Sequence, residues 1–192
     1  MTSPAAWIVT ENWPSGLMVA YVGGIRSGKS ALAQRRFQDE ISRQGLRSPV
    51  YLGTLLPQAA EQDNELAMRV AAHQAQRPGG WAREDVGTDL PATAERCLRA
   101  GHDAWLLDGL GAWAALRLDQ GQEAIAELAS FISSARRVPL VVLVLDEVGQ
   151  GGVSGHPAAR AFADLNGALN QAACREATEA WSVQAGLAWR LK

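Results

Sequence analysis

The chain has little of what marks a secreted, metal-clamped or nucleic-acid-coating protein. Its 192 residues include only two cysteines, Cys97 and Cys174, far apart and each inside an expected helix. They suggest neither a disulfide framework nor a metal-ligand pair, and they fit a reducing cytoplasm. No apolar stretch is long enough to cross a membrane, and the first 16 residues contain no Lys or Arg. Neither a membrane anchor nor a secretory signal is therefore expected. With 18 basic and 20 acidic residues, a net charge of -2 and no dense Lys/Arg run, the chain offers no attraction for a nucleic-acid backbone. The seven tryptophans are scattered, which favours packing over a base-stacking platform.

What is present reads as one domain, large enough to bury its own core. Residues 1–16 read as an N-terminal extension, with Trp7, Ile8 and Trp13 able to dock on the body, and 17–192 as the domain itself. From Leu17 the apolar pattern keeps switching period. "LMVAYV" is a buried strand, Lys29 to Gln44 a helix, and "PVYLGT" at 49–54 a second strand. Asp63 caps a helix running to about Gln76, stopped by Arg77-Pro78-Gly79-Gly80. A helix from Pro91 to Ala100 then leads into "AWLLDG" at 104–109. Two helical pieces follow, Ala112–Leu118 and Gln122–Arg136, before "VPLVVLVLDEVG" at 138–149, which reads as a central strand. A glycine-rich loop, a helix from Pro157 to about Glu179 and a strand or hairpin near 181–192 complete the chain. Strands alternating with helices imply an α/β domain with a mostly parallel sheet.

Between the first strand and its helix stands Gly23-Gly24-Ile25-Arg26-Ser27-Gly28-Lys29-Ser30, a full phosphate-loop pattern in the required context. The glycines let backbone N–H groups turn around a phosphate, and the helix N-terminus adds positive potential. Lys29 supplies a mobile cation, and the Ser30 hydroxyl can ligate Mg²⁺. Such a loop also needs a carboxylate at a neighbouring strand end. Asp108 and Asp146 both qualify, and the pattern alone does not choose between them. In the helix at 63–76, Leu66, Val70, His73 and Arg77 fall on one stripe facing the body, where a histidine is more often a packed residue than a catalyst. His102 reads as a surface or turn residue, and His156 as a solvated loop residue.

These segments together resemble the bifunctional adenosylcobinamide kinase and adenosylcobinamide-phosphate guanylyltransferase family of cobalamin biosynthesis. The resemblance runs from Val19 to Lys192 through "GGIRSGKS", "VYLGT", "NELAMRVAAHQAQRPGGW", "LLDGLGAW", "DEVGQGGV" and "ARAFADLNGALNQAAC". It implies a phosphate-loop NTPase fold of the RecA-like type and a homotrimer. It implies phosphorylation of adenosylcobinamide by ATP or GTP, then transfer of GMP from GTP to the product through a guanylyl-histidine at His73. Arg69 and Arg77 flank that histidine, and could keep its ring neutral and meet phosphate oxygens. The resemblance also favours Asp108 as the metal- and nucleotide-proximal acid, with Ser30 as its partner on Mg²⁺. Gly53, Thr54, Gln74, Arg77 and Asp85 stand where the family contacts guanine nucleotide.

The chain departs from the family pattern at Gly111 (Thr), Leu116 (Asn), Asp146 (Asn), Val153-Ser154-Gly155-His156 and Ala163 (Arg). These departures are expected in segments that serve the corrinoid substrate or the subunit interface rather than the phosphate loop. Two other readings stay open: a phosphate-loop kinase in which His73 is a packed residue, and a non-catalytic nucleotide-binding relative.

Overall fold

The computed structural model describes residues 16–54 and 80–192. Residues 1–15 of the expected extension, the helix expected at 63–76 with Arg69, His73 and Gln74, and Arg77 after it lie outside the described residues. The rest forms a seven-stranded sheet in the order β3-β2-β4-β5-β1-β6-β7. The strands are β1 (Leu17–Gly23), β2 (Pro49–Gly53), β3 (Ala82–Asp85), β4 (Ala104–Asp108), β5 (Leu140–Asp146), β6 (Glu179–Gln184) and β7 (Leu187–Arg190). Every pairing is parallel except the terminal β6–β7 hairpin. The helices are α1 (Lys29–Gln44), α2 (Leu90–Arg99), α3 (Leu110–Leu116), α4 (Gly121–Ala135) and α5 (Pro157–Glu176).

The mostly parallel α/β sheet with helices on both faces is therefore as expected, and β5 lies at its centre. Side-chain alternation sorts the strands onto two cores. On one face Val19, Tyr21, Tyr51, Leu106, Val142 and Val144 pack with Ala33, Phe37 and Ile41 of α1. On the other, Met18, Leu52, Trp105, Leu107, Val141 and Leu143 meet the apolar sides of α2, α3, α4 and α5. Trp105 and Trp113 are fully buried, and Trp81 meets Phe37 edge-on at 4.9 Å between ring centroids. Among the described residues, Trp81, Trp105 and Trp113 pack the body, whereas Trp189 is exposed. Both cysteines do lie in helices, Cys97 in α2 and Cys174 in α5.

Two boundaries and one missing strand need correction. The helix after β4 begins at Leu110 and ends at Leu116, with a short 3₁₀ turn at Leu118–Gln120 before α4. Helix α5 stops at Glu176, short of Glu179, because Thr178 is already committed to β1. Its backbone N–H and its hydroxyl donate to the Met18 carbonyl at 2.8 and 2.6 Å, and the hydroxyl accepts from the Met18 N–H at 3.0 Å. Strand β3, "ARED", was not expected, and forms through backbone pairing with β2 from Val50↔Ala82 to Gly53↔Asp85.

Candidate functional site

Parallel strands bring their carboxyl ends to one edge, and chemistry-bearing residues gather there. Gly23 ends β1, Gly53 ends β2, Asp85 ends β3, Asp108 ends β4 and Asp146 ends β5. Register places Gly53 beside both Asp85 and Asp108, and Gly23 beside Asp146.

The loop between β1 and α1 is shaped by its small residues. A Cβ on Gly23 would lie 2.5 Å from the Val183 carbonyl oxygen and 2.6 Å from Ser27 Oγ, so the loop closes there only on glycine. Gly28 caps α1 in the left-handed region at φ 93°, with no side chain capping the first turn. That leaves the N-terminal N–H groups of α1 directed at the loop's mouth. Ser27 Oγ is buried without a hydrogen-bond partner inside the same loop. Arg26 also takes a positive φ, 58°, and with Ile25 it is exposed at the rim.

Lys29 opens α1, yet only 8% of it is exposed. Its Nζ donates to the Gly24 carbonyl at 3.2 Å and pairs with Asp146 Oδ1 at 2.8 Å. The next residue, Ser30, donates its hydroxyl to Asp108 Oδ1 at 3.2 Å. Tyr51 holds the other oxygen of that carboxylate at 3.1 Å. A hydroxyl and a carboxylate oxygen side by side, next to an anion-receptive helix end, are the hard oxygen donors that suit Mg²⁺. The buried lysine, the glycine-shaped cradle and this oxygen pair fit a Mg²⁺-bound polyphosphate.

The two carboxylates that the sequence left open therefore take different partners: Asp108 meets the serine, and Asp146 meets the lysine. This corrects one expectation. Asp146 serves the phosphate loop through Lys29, and Gly111 abuts Asp146. A Cβ on Gly111 would fall 2.7 Å from Asp146 Oδ2, so two departures touch each other and one grips the loop lysine.

Other expected residues stand nearby. Thr54 is 1% exposed, and its hydroxyl donates toward the Asp108 and Gly109 carbonyls at 3.1 and 2.5 Å, tying β2 to β4. Asp85 is exposed at the rim and accepts from Arg83 at 2.8 Å. His102 lies in the turn before β4, with Nδ1 3.0 Å from Ser48 Oγ. His156 is exposed at the start of α5.

Sequence reasoning missed Tyr51, Asn166 and Asn170. Tyr51 stands two residues before Gly53 on the face shared with α1, so strand alternation could have directed it to the loop side. Asn166 and Asn170, one helical turn apart on α5, both donate to the Asp146 carbonyl, at 2.6 and 2.8 Å. Their spacing was the available signal.

A family model described as cobinamide kinase / cobinamide phosphate guanyltransferase matches residues 19–191. The bifunctional adenosylcobalamin biosynthesis protein CobU of Escherichia coli K12 is 31% identical over 194 residues, covering 92% of this chain and all of that protein. The corresponding CobP of Pseudomonas aeruginosa is 30% identical over 174 residues, covering 89% of this chain and 95% of that one. Among solved structures, a KaiC-like protein from Pyrococcus horikoshii aligns with a TM-score of 0.47 at 17% identity, over 88% of this chain and 72% of that chain.

Proposed function

Starting from the membership of this chain in the cobinamide kinase / cobinamide phosphate guanyltransferase family, we propose that it carries out both reactions on one nucleotide site. In the first, the γ-phosphoryl group of ATP or GTP passes to the aminopropanol hydroxyl of adenosylcobinamide. This chemistry needs positioning and charge neutralisation more than covalent help. The glycines from Gly23 to Gly28 cradle the phosphates, and Lys29 meets their negative charge. Ser30 and Asp108 are the residues that would hold Mg²⁺, and the ion would supply positive charge to offset the charge developing during transfer. The observation that carries this reading is the 3.2 Å contact between Ser30 Oγ and Asp108 Oδ1, beside a buried loop lysine.

In the second reaction His73 attacks the α-phosphorus of GTP, a P–N bond forms and pyrophosphate leaves. A phosphate oxygen of adenosylcobinamide phosphate then attacks that phosphorus. The P–N bond breaks, adenosylcobinamide-GDP forms and the imidazole is regenerated. A neutral imidazole suits both steps, being nucleophilic near neutral pH and a competent leaving group. Arg69 and Arg77 keep the ring neutral and meet phosphate oxygens. Gly53, Thr54, Gln74, Arg77 and Asp85 contact the guanine nucleotide. The common edge shared by Gly53, Thr54, Asp85 and the loop supports this part of the reading. We further propose a homotrimer, with residues 1–16 as an appendage to the domain.

The test is incubation of the purified protein with Mg²⁺, adenosylcobinamide and ATP or GTP, with the corrinoid products separated and identified. Phosphorylated corrinoid should form, and Ser30→Ala and Asp108→Asn should slow its formation by at least about 100-fold through the loss of metal placement. No phosphorylation by a folded protein that binds nucleotide would contradict the kinase assignment.

A further inference from the structure

The Lys29–Asp146 pair has a consequence for how nucleotide enters. Asp146 is held from several sides. Its carbonyl accepts from Asn166 and Asn170, and the following N–H, that of Glu147, donates to the Gly23 carbonyl at 2.9 Å. Its side chain occupies the room that Gly111 leaves, since a Cβ there would lie 2.9 Å from the Asp146 Cβ. The carboxylate is thus anchored against the lysine at 2.8 Å, where the side chains are 10% and 33% exposed. Partly desolvated charges at this separation are only weakly screened by salt.

A polyphosphate arriving at the loop competes with this carboxylate for the same ammonium group. It also meets two fixed negative charges, Asp146 on Lys29 and Asp108 on Ser30. A divalent cation accompanying the nucleotide offsets that repulsion, and a nucleotide without one must face it. Resting on the proposed nucleotide site, we infer that Asp146 is a positioning residue that acts through Lys29 to make the loop select metal-complexed nucleotide over free nucleotide. Removing its charge while keeping its shape relieves the free nucleotide far more than the complexed one.

The experiment titrates the full-length protein with GTP, following binding by calorimetry, once with excess Mg²⁺ and once with EDTA. The quantity read is the ratio of the two dissociation constants, EDTA over Mg²⁺. Asp146→Asn should lower this ratio by about 10-fold, mainly by tightening the EDTA value, because the amide keeps the volume and loses the charge. Gly111→Ala displaces the carboxylate from the other side and should lower the ratio in the same direction with Asp146 intact. A ratio within twofold of the parent in folded Asp146→Asn overturns the inference. If that variant does not fold, an unchanged ratio in Gly111→Ala does so. Failure of the underlying site looks different: the parent would not bind GTP under either condition, or Lys29→Ala would bind as the parent does.

Discussion

The backbone N–H of Gly186 donates to the carbonyl of Ser27 at 2.8 Å, fastening the tip of the β6–β7 hairpin to the middle of the phosphate loop. Ala185 and Gly186 both have positive φ, 51° and 79°, the two-residue turn whose twist matches a tight hairpin. Gly28 lies against the same tip, since a Cβ on it would be 3.1 Å from the Gly186 Cα. Gly186→Ala places a Cβ on a left-handed residue, at about 1 kcal/mol of strain. The loop's preformed shape should suffer with it: GTP affinity falls several-fold while the melting temperature drops by only a few degrees. Unchanged affinity in the variant would show that the loop holds its shape without the hairpin.

Both thiols are harder to ionise in the folded protein than in the unfolded chain. Burial pushes the Cys97 thiol up to about 11, with the nearby Glu84 charge adding to the shift. Cys174 is also raised, again chiefly by burial. Because the thiolate is the reactive species, native protein at pH 8 should react with a thiol reagent at least about 10-fold more slowly than protein unfolded in guanidinium. Two thiols should then titrate upon unfolding. Rapid stoichiometric labelling of the native state would contradict this placement.

The acid side of the stability profile should depend on Glu40. Burial by itself would raise this carboxyl, but hydrogen bonds from Gln44 and Arg43 and the charges of Arg36 and Arg43 outweigh it and hold it below its ordinary value. A carboxyl depressed in the folded state adds stability above its unfolded value, and loses it as pH falls through the folded one. Glu40→Gln should therefore cost about 1–3 kcal/mol at neutral pH, with the gap to the parent closing below the carboxylate range. Denaturant melts across pH measure this. A gap that stays constant down to pH 3 would show that the charge contributes nothing.

Legibility from sequence followed burial. Strands β1 and β5 are covered on both faces, so they appear as uninterrupted apolar runs. Helix α1 has the expected bounds, Lys29–Gln44, and Gly45 after it takes the left-handed conformation that ends it. Strand β3 was hidden because it is an edge strand with three charged residues out of four, held by backbone pairing that side-chain patterning does not encode. The phosphate loop was legible because its glycines and lysine act through local backbone geometry. The Asp146–Gly111 contact was not, because it joins the ends of two elements that only the sheet order brings together. The roles of Asp108 and Asp146 separated for the same reason: each is a strand-ending acid in sequence, and only the fold gives one to Ser30 and the other to Lys29.

Use of one nucleotide site for both phosphoryl and guanylyl transfer is tested most directly by covalent labelling. The protein is incubated with Mg²⁺ and GTP labelled at the α-phosphate, denatured and examined for bound label, with His73→Ala alongside. An acid-labile, alkali-stable adduct that is present in the parent and absent from His73→Ala is the predicted result. No adduct on a folded parent that still binds GTP would contradict guanylyl transfer through His73.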